Sequence, residues 1–242
     1  MERLTERLDQ IRGRLARAAE RAGRPPESVR LLAVTKGFPA AVVREALALG
    51  LREFGENRVQ EADAKISELG AAGEAGSAPR WHLIGPLQRN KAKRAVTLFD
   101  EIHSLDSEDL VAEVARRAAA EGRIVTGYVE VNTSGDTGKH GVAPAGALAL
   151  LGRVGREPSI RPAGLMTIGP LHGGPEGARV SFRMLARLRD QAVEAGLLEA
   201  GAGLSMGMSD DFEIAIEEGA TIVRVGSALF GTRGAAREEA AG

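Results

Sequence analysis

A (β/α)8 barrel is the fold this sequence predicts, and three observations predict it. Eight short β-branched or apolar runs recur, at 29–36, 53–57, 80–86, 101–106, 124–132, 161–168, 203–208 and 221–227. Segments rich in Ala, Leu, Glu and Arg, with apolar residues at helical spacing, separate them. The runs begin 18 to 42 residues apart, about one strand–helix unit each. A doubly wound open sheet is the competing arrangement, because strand count alone does not close a barrel.

The elements follow in order. Residues 2–22 read as an amphipathic opening helix that stops at Ala22-Gly23-Arg24-Pro25-Pro26, where glycine and two prolines cannot continue it. In the first run, VRLLAVTK, Leu32, Val34 and Lys36 share one face and Leu31, Ala33 and Thr35 the other. Both faces are mainly apolar, which suits a parallel strand covered on each side. Val42, Val43, Ala46 and Leu47 then mark a helix that Gly50 ends. Gly70 to Ala78, GAAGEAGSA, reads as a flexible surface loop. Ser107-Glu108-Asp109 starts a helix that carries Leu110, Val111, Val114 and Ala115. Asp136 to Gly141, DTGKHG, lacks the spacing of a P-loop and reads as the solvated exit of the fifth strand, with Lys139 and His140 near the mouth. The expected organisation is one domain over 1–242, with an N-terminal helix in 1–24 and a frayed tail at 232–242.

Composition narrows the function classes. Lys and Arg number 32 against 33 Asp and Glu, so no global basic field draws nucleic acid or anionic lipid. The cluster Arg89, Lys91, Lys93 and Arg94 reads as a solvated helix face. There is no cysteine, which excludes disulfides, thiolate metal sites, iron–sulfur clusters and a catalytic thiol. His82, His103, His140 and His172 show no metal-ligand spacing, so no metal is expected. Residues 1–12 are charged throughout, and no apolar run approaches the roughly 18 residues that span a bilayer; the expected location is the cytoplasm. Aromatic residues make up 3% of the chain beside 31 glycines, so an aromatic cage is not how a ligand is held.

Lys36 sits at the C-terminal end of the first strand, where barrels place their chemistry. Partial desolvation there favours the neutral amine, which attacks carbonyls to form Schiff bases. The plainer alternative is a strand-end lysine paired with an acid. Near the other end, Ser205-Met206-Gly207-Met208-Ser209-Asp210-Asp211 joins a strand to the helical segment DFEIAIEEG, and Gly226-Ser227 follows the eighth strand. Small and hydroxyl residues at two adjacent strand ends suit one phosphate, although each alone also suits a helix cap. Arg224 shares a strand face with Gly226 and points toward the mouth. A phosphate and an aldehyde held by a lysine together describe pyridoxal 5'-phosphate (PLP).

These stretches carry a resemblance. Ala33 to Lys36, Phe54 to Glu61, Trp81 to Lys91, His103 to Ser107, Gly164 to Met166, Leu204 to Asp211 and Val223 to Gly231 resemble the YggS/PROSC-like PLP homeostasis proteins over nearly the whole chain. Leu83 and Ala95 depart from the family's usual residues. The resemblance implies the type III PLP barrel, similar to the N-terminal domain of alanine racemase. It implies Lys36 as the internal-aldimine lysine and Ser209, Gly226 and Ser227 as the phosphate cradle, with Ser205 a further candidate. Arg224 is placed near the pyridine nitrogen or toward the phosphate. Asn57, His82, Asn132 and Met166 border the ring, with a satisfied core histidine the alternative for His82.

The resemblance also bears on activity. Alanine racemase carries a second domain with a catalytic tyrosine, and here the only tyrosine is Tyr128, early in the fifth strand and away from the mouth. An arginine at the pyridine nitrogen would weaken the ring as an electron sink. The expectation is a monomeric PLP carrier without robust catalysis, with apo-PLP enzymes as transient partners and neither nucleic acid nor membrane among them. The alternatives are a single-domain PLP racemase or decarboxylase, and a PLP-free Schiff-base aldolase or sugar-phosphate isomerase on the same barrel.

Overall fold

The computed structural model describes residues 2–70, 78–136, 138–170 and 172–231. Its strands are β1 (Arg30–Val34), β2 (Glu53–Glu56), β3 (Arg80–Leu83), β4 (Glu101–Leu105), β5 (Val125–Glu130), β6 (Ile160–Met166), β7 (Gly203–Ser205) and β8 (Ile222–Val225). Each pairs in parallel with the next, and β8 returns to β1 with Ile222 opposite Arg30 and Arg224 opposite Leu32. The sheet is a closed barrel, so the open-sheet alternative falls. Closure also removes the unpaired strand edges an open sheet would expose.

The helices are α1 (Glu2–Arg21), α2 (Ala40–Ala48), α3 (Val59–Leu69), α4 (Ala92–Leu98), α5 (Glu108–Ala120), α6 (Ala147–Gly155), α7 (Gly174–Glu194), α8 (Phe212–Glu217) and α9 (Ser227–Phe230). In α1, Leu4, Leu8, Ile11, Leu15 and Ala18 recur every three or four residues and are buried. That stripe packs toward α8 and α9, where Arg14 bonds Glu213 at 2.9 Å and lies 4.5 Å from the Phe212 ring. Arg24, just past α1, donates to the carbonyls of Ile216 and Ala220 at 3.2 and 2.8 Å.

The two faces of β1 divide as the alternation requires. Ala33, with Leu31 beside it, joins the large core between sheet and helices. Leu32 and Val34 belong to a small interior cluster with Ile84, Tyr128, Met166 and Ile222. Much of the remaining interior is charged or polar.

Every strand ends one to three residues before its apolar run does, and three of these stops have a local cause. β3 stops at Leu83 because Gly85 and Pro86 follow, and proline has no N–H for a ladder. β7 stops at Ser205, since Gly207 turns the chain with φ 91°. A Cβ on Gly207 would lie 2.5 Å from Ala215 Cβ, so only glycine fits this turn. β5 stops at Glu130, after which Val131 bridges Val142 and the loop folds back on the strand. Of the expected loop from Gly70 to Ala78, residues 71–77 lie outside the described residues, as does the expected tail at 232–242. Among the described residues, no helix is long and apolar enough to cross a membrane.

Candidate functional site at the barrel mouth

A cavity of about 490 Å³ opens at the C-terminal ends of the strands. Lys36 enters it from the end of β1, Ser209 from the β7–α8 loop, and Arg224, Gly226 and Ser227 from β8 and the start of α9. Five of the ten residues expected from sequence therefore line one space. Val34, Phe38, Ile84, Met208, Asp210 and Gly231 complete its wall, and sequence reasoning had not singled them out. Phe38 of the wall packs against Phe230, which does not line the cavity, with ring centroids 5.4 Å apart.

The two loops from β7 and β8 are tied together by their hydroxyls. Ser227 Oγ donates to Ser209 Oγ at 3.1 Å, and the Ala228 N–H reaches the same oxygen at 3.3 Å. Asp211 accepts the Met208 N–H at 2.6 Å, which fixes the turn that carries Ser209. Burial raises the Asp211 carboxyl above its ordinary range.

Arg224 is the buried charged residue of the cavity wall, 4% exposed, where Lys36 is half-buried and Asp210 exposed. One guanidinium nitrogen donates to the carbonyl and hydroxyl of Ser205 at 2.7 and 2.9 Å, and the other donates to the Thr167 carbonyl at 2.8 Å. Burial lowers its pKa to about 10, against the opposing pull of Glu130 and Asp211, so it stays a cation at neutral pH.

The other five expected residues do not line this cavity. Ser205 is buried as a partner of Arg224. Met166 is buried in the interior cluster that also holds Val34 and Ile84 of the cavity wall. Asn57 is half-buried, and its Oδ1 has no hydrogen-bond partner among the described residues. Its backbone is packed so closely by Gly85 that a Cβ there would lie 2.4 Å from the Asn57 carbonyl oxygen. His82 is fully enclosed in the barrel interior, with both ring nitrogens engaged.

Asn132 lines a second cavity of about 170 Å³ with Pro86, Glu130, Lys139, His140 and Ile168. Lys139 is held there by the Gly169 carbonyl at 2.8 Å and by Asp136 at 2.7 Å. Glu130, which the sequence reading passed over, is 4% exposed and has one carboxyl oxygen without a partner among the described residues. Burial and the nearby Asp106 raise its pKa to about 7.

The histidines are not scattered in space. His82 on β3 and His103 on β4 point into the same interior, with Nδ1 of one 3.1 Å from Nε2 of the other. His103 Nδ1 lies 2.9 Å from Ser205 Oγ, and His82 Nε2 lies 2.5 Å from Glu53. Burial lowers His103 to about 3, while for His82 the bonds to Glu101 and Glu53 outweigh burial and raise it. These contacts string His82, His103 and Ser205 into one buried line of polar groups. The chain of bonds ends at Arg224. Below it, Arg30 binds both oxygens of Glu101 at 2.9 and 3.2 Å and reaches the Tyr128 hydroxyl at 3.1 Å. His82, Glu101 and His103 have the chemistry of a metal-ligand set. Here they are bonded instead to one another, to Glu53 and to Arg30.

The basic cluster is paired at two of its members. Arg89 bonds Asp109 at 2.9 Å and Arg94 bonds Asp63 at 2.8 Å on exposed helix surface.

Comparison with known proteins agrees with this geometry. The family model described as alanine racemase, N-terminal domain, matches residues 7–234. A protein of Aquifex aeolicus named pyridoxal phosphate homeostasis protein is 42% identical over 228 residues, covering 94% of this chain and 97% of that one. The Escherichia coli protein of the same name is 38% identical, covering 96% and 98%. The solved structure of PipY from Synechococcus elongatus with PLP bound is 41% identical with a TM-score of 0.79, covering 91% of this chain and 100% of that one. Alanine racemase of Clostridium difficile shares the fold at a TM-score of 0.74 and 16% identity, covering 96% of this chain and 57% of its own. A barrel with a mouth lysine, a serine-bordered loop pair and near-complete coverage by such relatives places the chain in the pyridoxal phosphate homeostasis protein family, within the alanine racemase N-terminal domain class.

Proposed function

We propose that this protein binds PLP at the barrel mouth and serves PLP homeostasis, storing the cofactor and handing it on. The single observation that carries the reading is the cavity in which Lys36, Ser209, Arg224, Gly226 and Ser227 meet from strands at the two ends of the chain. The fit of the group is supported by the wall itself: a lysine on one side, paired serine hydroxyls on another and a buried cation between neighbouring strands. The unpartnered Oδ1 of Asn57 is a further acceptor at the end of β2. When bound, PLP supplies an aldehyde that forms a Schiff base with an amine.

Lys36 would hold the aldehyde end, and Ser209, Gly226 and Ser227 the phosphate. Arg224 is pinned by Ser205 and Thr167, so it presents a fixed positive charge rather than a mobile one. Such a charge favours an unprotonated ring nitrogen and opposes carbanion chemistry. Tyr128 does not supply an acid or base at the mouth. Its hydroxyl bonds Arg30, which starts β1 roughly 20 Å of extended chain before Lys36, and burial raises its pKa to about 12. Holding and releasing the cofactor, rather than turning over amino acids, is the function these features support. The reading extends to a cytoplasmic monomer with apo-PLP enzymes as transient partners.

Purified protein mixed with PLP is expected to turn yellow, absorbing near ~420 nm, and Lys36→Ala to lose that band. A wild-type protein that takes up no PLP would overturn the reading.

A further inference from the structure

Lys36 is flanked by a buried charged cluster on the outer face of the sheet. Lys65 of α3 is 5% exposed, and Glu56 of β2 and Thr35 are fully buried. The Lys65 ammonium donates to the Thr35 carbonyl at 2.7 Å and to Glu56, and it lies 3.5 Å from Glu61. The Thr35 hydroxyl donates to Glu56 at 2.6 Å. Glu61 accepts the Gly37 N–H. The residues immediately before and after Lys36 are thus both tied to side chains of β2 and α3.

Packing alone does not explain this arrangement. Val59, Ala62 and Leu69 bury the inner stripe of α3, and an apolar residue at 65 would continue it without desolvating a charge. The cluster instead spends its hydrogen bonds on the backbone of residues 35 and 37. Gly37, at φ 78°, turns the chain directly after Lys36, so the direction of the Lys36 side chain depends on how these two peptides are held.

We propose that Lys65, with Glu56 and Glu61, is a positioning device that aims the Lys36 amine for covalent capture of an aldehyde. The inference rests on the PLP reading above. In the captured step the neutral amine nitrogen adds to the aldehyde carbon, its two protons leave with the aldehyde oxygen as water, and a C=N bond remains. The cluster touches none of these atoms; it fixes where the nitrogen stands.

The test separates aim from general binding. Capture of PLP is followed by the rate of appearance of the yellow band, and non-covalent binding by the affinity for pyridoxine 5'-phosphate, which has no aldehyde. Lys65→Met is expected to slow capture at least tenfold while changing pyridoxine phosphate affinity less than twofold, and Lys65→Arg to recover most of the rate. Glu61→Ala, which removes a partly exposed group, is expected to slow capture about threefold. The double variant Glu56→Gln with Lys65→Met leaves no unpaired buried charge and is expected to behave as Lys65→Met, so the result stands even where the single variant fails to fold. Wild-type capture rates in Glu61→Ala and the double variant, or equal losses of capture and of pyridoxine phosphate affinity, would overturn the proposal. A wild-type protein that never turns yellow would instead count against the PLP reading itself.

Discussion

Arg224 donates to Ser205 twice from one guanidinium nitrogen, to the carbonyl at 2.7 Å and to the hydroxyl at 2.9 Å. The same hydroxyl lies 2.9 Å from His103 Nδ1, so it joins the cation at the mouth to the histidine pair below. Ser205→Ala strips one hydrogen-bond partner from each. The expected loss is about 1–3 kcal/mol of folding stability, because the buried hydrogen bonds are left unmade rather than returned to water. Urea denaturation measures it, and an unchanged midpoint would contradict the assignment.

Ser209 and Ser227 are expected to act on the phosphate rather than on the aldehyde. Replacing either by alanine should weaken PLP and inorganic phosphate alike, by about 5- to 10-fold, or about 1 kcal/mol for one lost hydrogen bond. Spectroscopic titration with PLP, with phosphate as competitor, reads both. A variant that loses PLP affinity but keeps phosphate competition intact would place the phosphate elsewhere.

Glu130 makes a prediction about pH. Its folded pKa is raised from 4.5 to about 7, so between these values the folded protein holds a proton that the unfolded chain has lost. Stability contributed by this group is therefore intact below about pH 4.5 and falls as pH rises toward 7, by up to about 3 kcal/mol. Glu130→Gln removes the penalty. Between pH 5 and 8 the wild-type denaturation midpoint is expected to drop relative to that of the variant; parallel profiles would show that Glu130 titrates normally.

Gly207→Ala should be costly for two independent reasons, a φ of 91° and a Cβ placed 2.5 Å from that of Ala215. A loss of at least about 2 kcal/mol is expected from strain and overlap together. Calorimetry gives the stability, and the same variant should bind PLP more weakly because Ser209 lies two residues on.

The parts of the site legible in the sequence were those at strand ends. Lys36, Ser209, Arg224, Gly226 and Ser227 could be read because a barrel sends the C-terminal ends of its strands to one place. Residues whose role depends on neighbouring strands were less visible. His82 and His103 sit 21 positions apart and meet only because β3 and β4 are adjacent and in register. Glu130 had a signal in the acidic residue closing an otherwise apolar run, on the same strand face as Tyr128. Lys65 had one too, as a lysine on the buried stripe of Val59, Ala62 and Leu69. Barrel closure itself was a matter of pairing between β1 and β8, which periodicity does not encode.

That pairing has a consequence for how the protein comes together. The first and last strands meet along a seam, and the mouth cavity straddles it, with Lys36 on one side and Arg224, Gly226 and Ser227 on the other. The seam is the strand pairing of longest sequence separation, so its ordering waits on nearly all of the chain. A small molecule bonded to Lys36 and gripped by Ser227 would act as a clasp across it, adding stability only to chains that have already closed. Cofactor-free molecules should then fray first at the junction of their two ends, and hydrogen exchange there should slow most when the clasp is in place.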